Sequence, residues 1–600
     1  MADHGIPSTS NLIYLDGNGQ PHLVCYADEF PFDCHILKGL FKESNKFSIY
    51  DNDISDLVSS VVSQMGQAMK GLNIRPQDPG KFFRNQLYTT DLTKHNVQKS
   101  WRPFQDALVL CETDKLTQRS SLMCKGIYLQ RLLKLFLDNH QIQGAAYELH
   151  AANQCAKGDI GRFLHYKKLS TKCYQKSKSK YKLLPTMSVD RATETVTAAY
   201  TAACNSVVNP PRLLTKSRLP PVKCLPKSKN LKEKSRPVQS FLLWLARNVD
   251  QMLAAILLCL LITIERFNPL WRGHIHSTRD FIQAFKSLYE STDHTQSLHI
   301  RKTDIAEMYT NISRGDAKEA VYHCVTEVMD IMKAHTIQYE KRKATPSSSG
   351  NFCAKKPLVE FTSCPDATKT YMDAAAFMDI LDTHLNSSYL TIGDIVAIQT
   401  EGLGMGSPPA GMLAIITVAF RRMRCMLASP PLPPHPTCVP AVAYADDTAE
   451  VTTNGKSWMA DVFEKDLKEH GMSLECDPEV LIADGMVTQH MQFRISMMDN
   501  KLVFEYNPRN KGKWRYPVIT DMNRRYLAIP ILSGILFSHF DYSTRFDGGN
   551  ILSLFGEVIT LLKSKGYCAH EWQTALHLFG RKRKVSETVI EELYRMWRSL

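Results

Sequence analysis

The sequence predicts a mixed α/β (α+β) chain of about three to five packed units. Its 600 residues, 44% of them hydrophobic, are enough for several cores. The stretch Val439–Glu450, VPAVAYADDTAE, sets small or β-branched residues on both sides of a tight acidic turn. That pattern reads as a β-hairpin with carboxylates at its tip. Met252–Ile264, MLAAILLCLLITI, is the most apolar run. It is shorter than the roughly 20 residues a membrane-spanning helix needs, so a buried helix is expected and no membrane partner.

Lysine and arginine outnumber aspartate and glutamate by 73 to 60, a formal net charge of +13, which suits a polyanionic partner. The sixteen cysteines are scattered without a CxxC pair or a Cys/His ladder. Free thiols of a reducing compartment are therefore expected rather than a zinc site. The N-terminus, MADHGIPSTSNLIYLDG, lacks a basic start followed by an apolar core, so no secretory signal is expected.

Along the chain, the first hundred residues read as helices and loops, as in SDLVSSVVSQMGQAMKGL, whose apolar spacing is helical. From Ala107, ALVLCETDKLTQRSSLMCKGIYLQRLLKLFLDNH reads as strand, polar turn at Asp114-Lys115, second strand, then an amphipathic helix from about Gly126. Tyr166–Lys182, YKKLSTKCYQKSKSKYK, interleaves lysines with tyrosines. It is either a surface that tracks a phosphate backbone and stacks bases, through Lys176, Lys178 and Lys180, or a solvated loop. Leu219–Ser240, LPPVKCLPKSKNLKEKSRPVQS, reads as a proline- and lysine-rich loop between short strands. Its cluster of Lys227, Lys229, Lys232, Lys234 and Arg236 either grips a triphosphate, with Arg236 making paired hydrogen bonds, or is a solvated linker.

Leu298–Asn311, LHIRKTDIAEMYTN, alternates and then ends at Asp304, placing that carboxylate at the C-terminal end of a strand. Tyr309 and Asn311 follow, with a helix from near Gly315-Asp316. Asp304 supplies a third oxygen donor to the pair Asp446-Asp447. Adjacent carboxylates repel unless a cation neutralises them, and hard oxygen ligands suit Mg²⁺ or Mn²⁺. A surface acidic turn is the plainer reading of the pair taken alone. Between the acids, QTEGLGMGSPPAGMLAIITVAFRRMRCM has glycines at 402, 404 and 406 that allow close backbone approach. A long apolar helix opens after Ser407-Pro408 and ends in Arg421, Arg422 and Arg424. A dinucleotide-binding reading fails, because GxGxG runs into SPP with no βαβ frame. A phosphate- or base-pair-contacting turn at a helix N-terminus fits better.

In order, a basic cluster ending in Arg236-Pro237, Asp304 with an aromatic five residues on, GMGSPP before a helix, and YADD resemble the reverse transcriptases. Within that group the chain looks most like the Penelope-like retroelement enzymes. MYTNI, MGSPPAGMLAII, LPKSKN…KSRPV, the TDK segment before YLQRLLKLFLDN, HMQFRISMMDNKLVFEYNPRNK, YPVITDMNRRY and LLKSKGYCAHEWQTAL are similar to that branch. The likeness covers roughly residues 107–579.

The resemblance implies a right-hand polymerase with fingers, an antiparallel-sheet palm and a helical thumb, preceded by a mainly helical extension. It divides the chain into that extension (1–105), an N-terminal segment with the basic tract (106–210), fingers (211–297), palm (298–503), and thumb with a basic tail (504–600). Asp304, Asp446 and Asp447 would bind two Mg²⁺ ions, with the Ile305 carbonyl helping. Tyr309 would pack under the sugar and favour dNTPs. Arg236, with Lys234 and Lys227, would hold the incoming phosphates. Met405, Gly406 and Ser407 would lie against the template base and nascent pair, and Tyr444 would border the primer end. The implied partners are an RNA template, a DNA primer and dNTPs; no protein partner is indicated.

Some positions depart from the pattern. The lysine that many reverse transcriptases carry after a Gly-Leu turn has no counterpart where Gly471-Met472 leads to Asp477-Pro478. The GIY at Gly126–Tyr128 has no YIG partner, so the expectation is an element without a recognisable endonuclease domain. The extended RNA-binding segment of telomerases and the flanks of intron maturases are not found. Other readings are an RNA-dependent RNA polymerase, disfavoured by YADD and Tyr309, and a domesticated or inactive nucleic-acid-binding protein that keeps the fold. The run Arg581–Lys584 is a nuclear-import signal, a backbone grip or a solvated face, and nuclear localisation is expected.

Overall fold

The computed structural model describes four strands before residue 125, positions 128 and 131, and residues 180–600 apart from gaps, the longest at 430–440 and 507–523. Strands β1 (Ile13–Leu15), β2 (Pro21–Tyr26), β3 (Leu108–Thr113) and β4 (Leu116–Cys124) form one sheet in the order β1-β2-β4-β3. The expected strand-turn-strand after Ala107 is thus present, and Tyr128 and Arg131 are helical as expected. The first hundred residues, read as helices and loops, contribute two strands. Pro21–Tyr26 is too short for periodicity to distinguish the two states, and pairing with β4 decides it. The helical pattern at 55–72 lies outside the described residues.

Strand β5 (Tyr181–Leu184) precedes helix α1 (Val189–Ala203), and β6 (Val222–Lys227) and β7 (Asn230–Gln239) follow. The segment expected as a loop between short strands is therefore a long antiparallel hairpin. Among the described residues its sheet has two strands, so Pro226 and Pro237 can face away from the ladder without breaking it. Helix α2 (Arg247–Phe267) contains the apolar run; it is long and apolar enough to cross a membrane by length and composition, yet it lies in the main core. Helix α3 (Thr278–Glu290), strand β8 (Leu298–Ile305), the single turn α4 (Met308–Asn311) and helix α5 (Arg314–Met332) come next. Ser313 caps α5, its Oγ accepting from the Asp316 N–H at 3.0 Å, which satisfies a donor the first turn would leave open.

Strand β9 (Thr336–Glu340) joins β12 (Leu358–Thr362) and β13 (Thr370–Met372) in a sheet, while β10 (Thr345–Pro346) pairs with β11 (Phe352–Cys353). After helix α6 (Ala374–Asn386), β14 (Tyr389–Ile392) and β15 (Ile395–Gln399) pair, and β15 also pairs with β5. Helix α7 (Ala410–Ala428) leads to the hairpin β16 (Ala441–Tyr444) and β17 (Asp447–Thr453). Beyond helix α8 (Glu464–Glu469) come β18 (Leu474–Cys476), β19 (Val480–Leu481) and the meander β20 (Val487–His490), β21 (Phe493–Met498) and β22 (Lys501–Tyr506). Four helices end the chain, α9 (Arg524–Asp541), α10 (Gly548–Ser564), α11 (Ala569–Arg583) and α12 (Glu587–Ser599).

The central sheet runs β16-β17-β8-β18, with β19 also on β8. One face, through Ala441 and Ile305, joins the main core shared by α1, α2, α5, α6 and α7. The other face, through Ile300, Val442, Ala449 and Val451, forms a second core with Phe281 and Phe285 of α3 and Phe493 and Phe504 of the meander. The last helices have their own core around Trp572 and Phe579. The basic end of α7 is structural. Arg421 is buried against Asp316, which also receives His470 at 3.2 Å, and buried Arg422 donates to the Arg272 carbonyl at 3.0 Å. Burial pulls the Arg422 guanidinium down to about 10.

Candidate active site

Strand β8 alternates between the two cores, so Asp304 falls on the face of Leu298 and Ile300, two pleats beyond Ile300. The register sets Asp304 directly across from Asp447 on β17 and from Glu475 on β18, and sets Asp447 across from Tyr444 on β16. One transverse row, Tyr444, Asp447, Asp304, Glu475, therefore crosses four strands on a single face, just past the end of the second core. Directly opposed residues in such a row have Cβ atoms about 4.5–5.5 Å apart. Asp446 occupies the turn of the hairpin, where its carbonyl accepts the Ile305 N–H at 3.2 Å. The turn is thus bonded to the end of β8, and all three predicted aspartates meet at one edge of the sheet.

Like charges directly opposed across strands are destabilising, which makes this row a place for a counter-charge. Lys302, on the same face, is turned elsewhere: its ammonium meets Asp477 at 3.2 Å and the Gln489 carbonyl at 3.1 Å. The donor set is all hard oxygen and fits Mg²⁺ or Mn²⁺ in kind. Among the described residues, no three His, Cys, Asp or Glu side chains are drawn into a closed metal cage. The fit is one of donor type and backbone register. Ile305 buries its side chain in the main core.

Past Ile305 the chain reverses at Glu307, whose φ of +47° is the left-handed conformation that non-glycine residues seldom adopt. That bend brings Tyr309 back toward the acids. Burial pushes the Tyr309 phenol above its ordinary value, the charge of Asp446 adds to the rise, and Arg236 opposes it. Tyr309 is therefore within electrostatic reach of both the hairpin turn and β7. Its carbonyl accepts the Leu403 N–H at 2.7 Å.

The glycines of the 402–407 loop permit contacts that a side chain would block. At Gly402, with φ +76°, a Cβ would stand 2.8 Å from the Thr310 carbonyl oxygen; at Gly406, with φ +107°, it would stand 2.3 Å from that of Gln239. The Met405 carbonyl accepts the Gln239 N–H at 2.8 Å. Ser407 donates its N–H to Gly404 at 2.9 Å, and its Oγ is buried without a hydrogen-bond partner. This loop is therefore clamped between α4 and the end of β7, the strand that carries Arg236.

Lys227 sits where the β6–β7 register shifts. Lys234 lies on β7, its side chain outside the described residues, as are Lys176 and Lys178. Lys180, read as part of a nucleic-acid surface or a solvated loop, is half-buried beside the glycine loop: its ammonium donates to Asn311 Oδ1 and its carbonyl accepts from the Thr400 N–H at 2.8 Å. Burial pulls this ammonium below the ordinary lysine value, while Glu307 and Glu401 pull the other way. Sequence reasoning missed Glu475, Gln239 and Gln399. Glu475 carries no motif, and the two glutamines differ in no local feature from solvent-exposed ones.

No family model and no curated protein matches the chain. Among solved structures, telomerase from Candida albicans, in complex with a TWJ fragment of telomeric RNA, is 12% identical, with a TM-score of 0.44 over 96% of this chain and 88% of that one. Apo telomerase from Candida tropicalis is 11% identical, with a TM-score of 0.44 over 94% and 79%. The BmCPV RNA-dependent RNA polymerase at elongation state is 11% identical, with a TM-score of 0.33 over 82% and 40%. The overlap with each is weak, and no residue role is carried across from them.

Proposed function

We propose that this chain is a reverse transcriptase of the Penelope-like kind, extending a DNA primer 3′-hydroxyl on an RNA template with dNTPs. The observation that carries the reading is the pairing of Asp304 with Asp447, with Asp446 in the adjoining turn bonded to Ile305. Three carboxylates at one sheet edge suit a two-ion nucleotidyl transfer. Two Mg²⁺ ions held there by Asp304, Asp446 and Asp447, with the Ile305 carbonyl, would acidify the primer hydroxyl and neutralise the triphosphate and leaving pyrophosphate. In this reading the central sheet is the palm floor, the β6–β7 hairpin belongs to the fingers, and the last four helices are the thumb.

The chain's own residues divide the remaining work. Arg236 holds the triphosphate from above, with Lys227 and Lys234 beside it on the same hairpin. Tyr309, which feels the charges of both Asp446 and Arg236, sets its ring against the sugar and excludes a 2′-hydroxyl. Met405, Gly406 and Ser407 border the base pair; the buried, unpartnered Ser407 Oγ offers a hydrogen bond there. Tyr444, next to Asp447 in the row, borders the primer terminus. The exposed Arg581, Lys582 and Lys584 suit nuclear import.

Primer extension on an RNA template with Mg²⁺ tests this directly. Asp446→Asn should abolish extension while leaving binding to the RNA/DNA hybrid intact; a variant that still extends refutes the mechanism. The same assay separates the competing readings. Extension with NTPs in preference to dNTPs would mark an RNA polymerase. Tight hybrid binding with no extension by the wild type would mark a binding protein on this fold.

A further inference from the structure

We propose that Gln239 is a positioning residue: its amide clasps the base of the β6–β7 hairpin to the glycine loop and so fixes where Arg236 stands over the acidic row. This rests on the reverse-transcriptase reading, in which Arg236 grips the incoming nucleotide.

Gln239 is the last residue of β7, three positions after Arg236, and only 4% of it is exposed. Every polar group it carries is engaged with the site. Its N–H donates to the Met405 carbonyl at 2.8 Å. Its carbonyl oxygen occupies the space that a Cβ on Gly406 would need. Its Nε2 donates to Gln399 Oε1 at 2.6 Å, and Gln399 in turn donates to the Glu401 carbonyl at 2.9 Å. Gln239 Oε1 lies close over Gly404, where a Cβ would approach it to 2.9 Å, and the Tyr181 hydroxyl also hydrogen-bonds to this amide. One side chain thus joins β5, β7, β15 and the glycine loop.

Among the described residues β6 and β7 form a sheet of their own, held on its far side by Arg131 donating to Ser235 Oγ at 3.0 Å and by the Cys224 N–H donating to the Tyr128 hydroxyl at 3.4 Å, and the Gln239 clasp is its tie to the glycine loop. Three residues of extended chain separate the clasp from Arg236 by about 10 Å. A tilt of roughly 10° at the base then moves the guanidinium by about 2 Å, enough to break hydrogen bonds of about 3 Å to a bound triphosphate and so weaken nucleotide binding. Gln399 supplies the only fully buried side chain among these partners of the Gln239 amide, so the bond between the two glutamines is shielded from competing water.

The test uses the full chain with Gln239→Ala, Gln399→Ala and the double variant. In primer extension, KM for the dNTP should rise about tenfold in each single variant while kcat changes less than about threefold. The double variant should fall clearly short of the product of the two single losses, since both remove the same glutamine–glutamine bond while each also removes one contact of its own, to Tyr181 and to the Glu401 carbonyl. A fall in kcat with KM unchanged, additive losses, or no effect overturns the proposal. A structural defect alone would not produce the KM split, and Gln399→Ala breaks the bond from another strand should Gln239→Ala fold poorly. If the wild type incorporates no nucleotide, the polymerase reading has failed by itself. Hydrogen exchange then decides the clasp: amides at 236–241 and 402–407 should exchange about tenfold faster in Gln239→Ala. Unchanged exchange overturns it.

Discussion

Replacing Gly406 with alanine separates two effects that the fold combines at that position. Its φ of +107° is a conformation an L-residue enters only at a cost of about 1–3 kcal/mol. The new Cβ would also stand 2.3 Å from the Gln239 carbonyl oxygen, far inside contact distance. That neighbour is backbone at the end of β7 and can yield only if the strand shifts. Forced overpacking of this kind costs about 1–3 kcal/mol more. The total for Gly406→Ala is therefore about 2–6 kcal/mol. Gly485 is the control: φ is +82° but nothing lies within 4 Å, so only the backbone cost applies. Gly402→Ala should fall nearer Gly406→Ala, with its Cβ 2.8 Å from the Thr310 carbonyl oxygen. Urea unfolding, followed by the fluorescence of Trp244 and Trp271 in the main core, measures all three. If Gly406→Ala is no more destabilising than Gly485→Ala, the close approach of loop and β7 is wrong.

Other outcomes follow from the same structure. Tyr309→Ala should raise ribonucleotide incorporation; unchanged dNTP/NTP selectivity would dismiss its role at the sugar. Glu450 is buried on β17, accepts from Ser457 Oγ at 2.6 Å and the Met459 N–H at 3.3 Å, and lies across from Arg301; burial still raises its carboxyl to about 7. The folded state therefore holds this proton more tightly than the unfolded chain, whose value is near 4.5. Its stabilising contribution is complete below 4.5 and lost as pH rises through about 7, a fall of up to about 3 kcal/mol. Unfolding measured from pH 4 to pH 8 should show that decline in the wild type and not in Glu450→Gln; equal pH profiles would refute it. Asp250, fully buried, accepts from the Tyr200 hydroxyl at 3.0 Å and Trp244 Nε1 at 2.9 Å, and meets His384 Nδ1 at 3.0 Å. Asp250→Ala leaves Trp244 Nε1 without its acceptor, while the Tyr200 hydroxyl and His384 Nδ1 keep each other at 3.2 Å, and should destabilise the main core by about 1–3 kcal/mol; a loss well under about 1 kcal/mol would show that water replaces the carboxylate.

Much of the central sheet was legible because its patterns are local. The alternation of Leu298–Ile305 is a period-two signal and the acidic turn between apolar flanks in Val439–Glu450 a hairpin signal, and both are strands or a hairpin at nearly the expected bounds. The apolar run of α2 and the start of α5 after Ser313 were equally readable. The segment 222–239 was not, because proline and lysine suggest a loop unless a strand pairs on one edge only. The contacts of Lys180 were not legible for a related reason. In a tract of lysines its composition is that of a solvated face, and only the packing of β5 beside β15 buries it against Asn311.

By itself, the sequence determined which chemical groups are available: three aspartates in recognisable settings, an aromatic after the first, and glycines where backbone must come close. Only the tertiary structure decided which of them meet. A slip of one residue between β8 and β17 would turn Asp447 to the opposite face of the sheet. What prevents the slip is non-local: Ile300 and Val451 must both enter the second core while Ile305 and Ala441 enter the main one. The same register brings in Glu475, and the same packing directs Gln239 to the glycine loop. The positions of both follow from contacts between segments far apart in the chain.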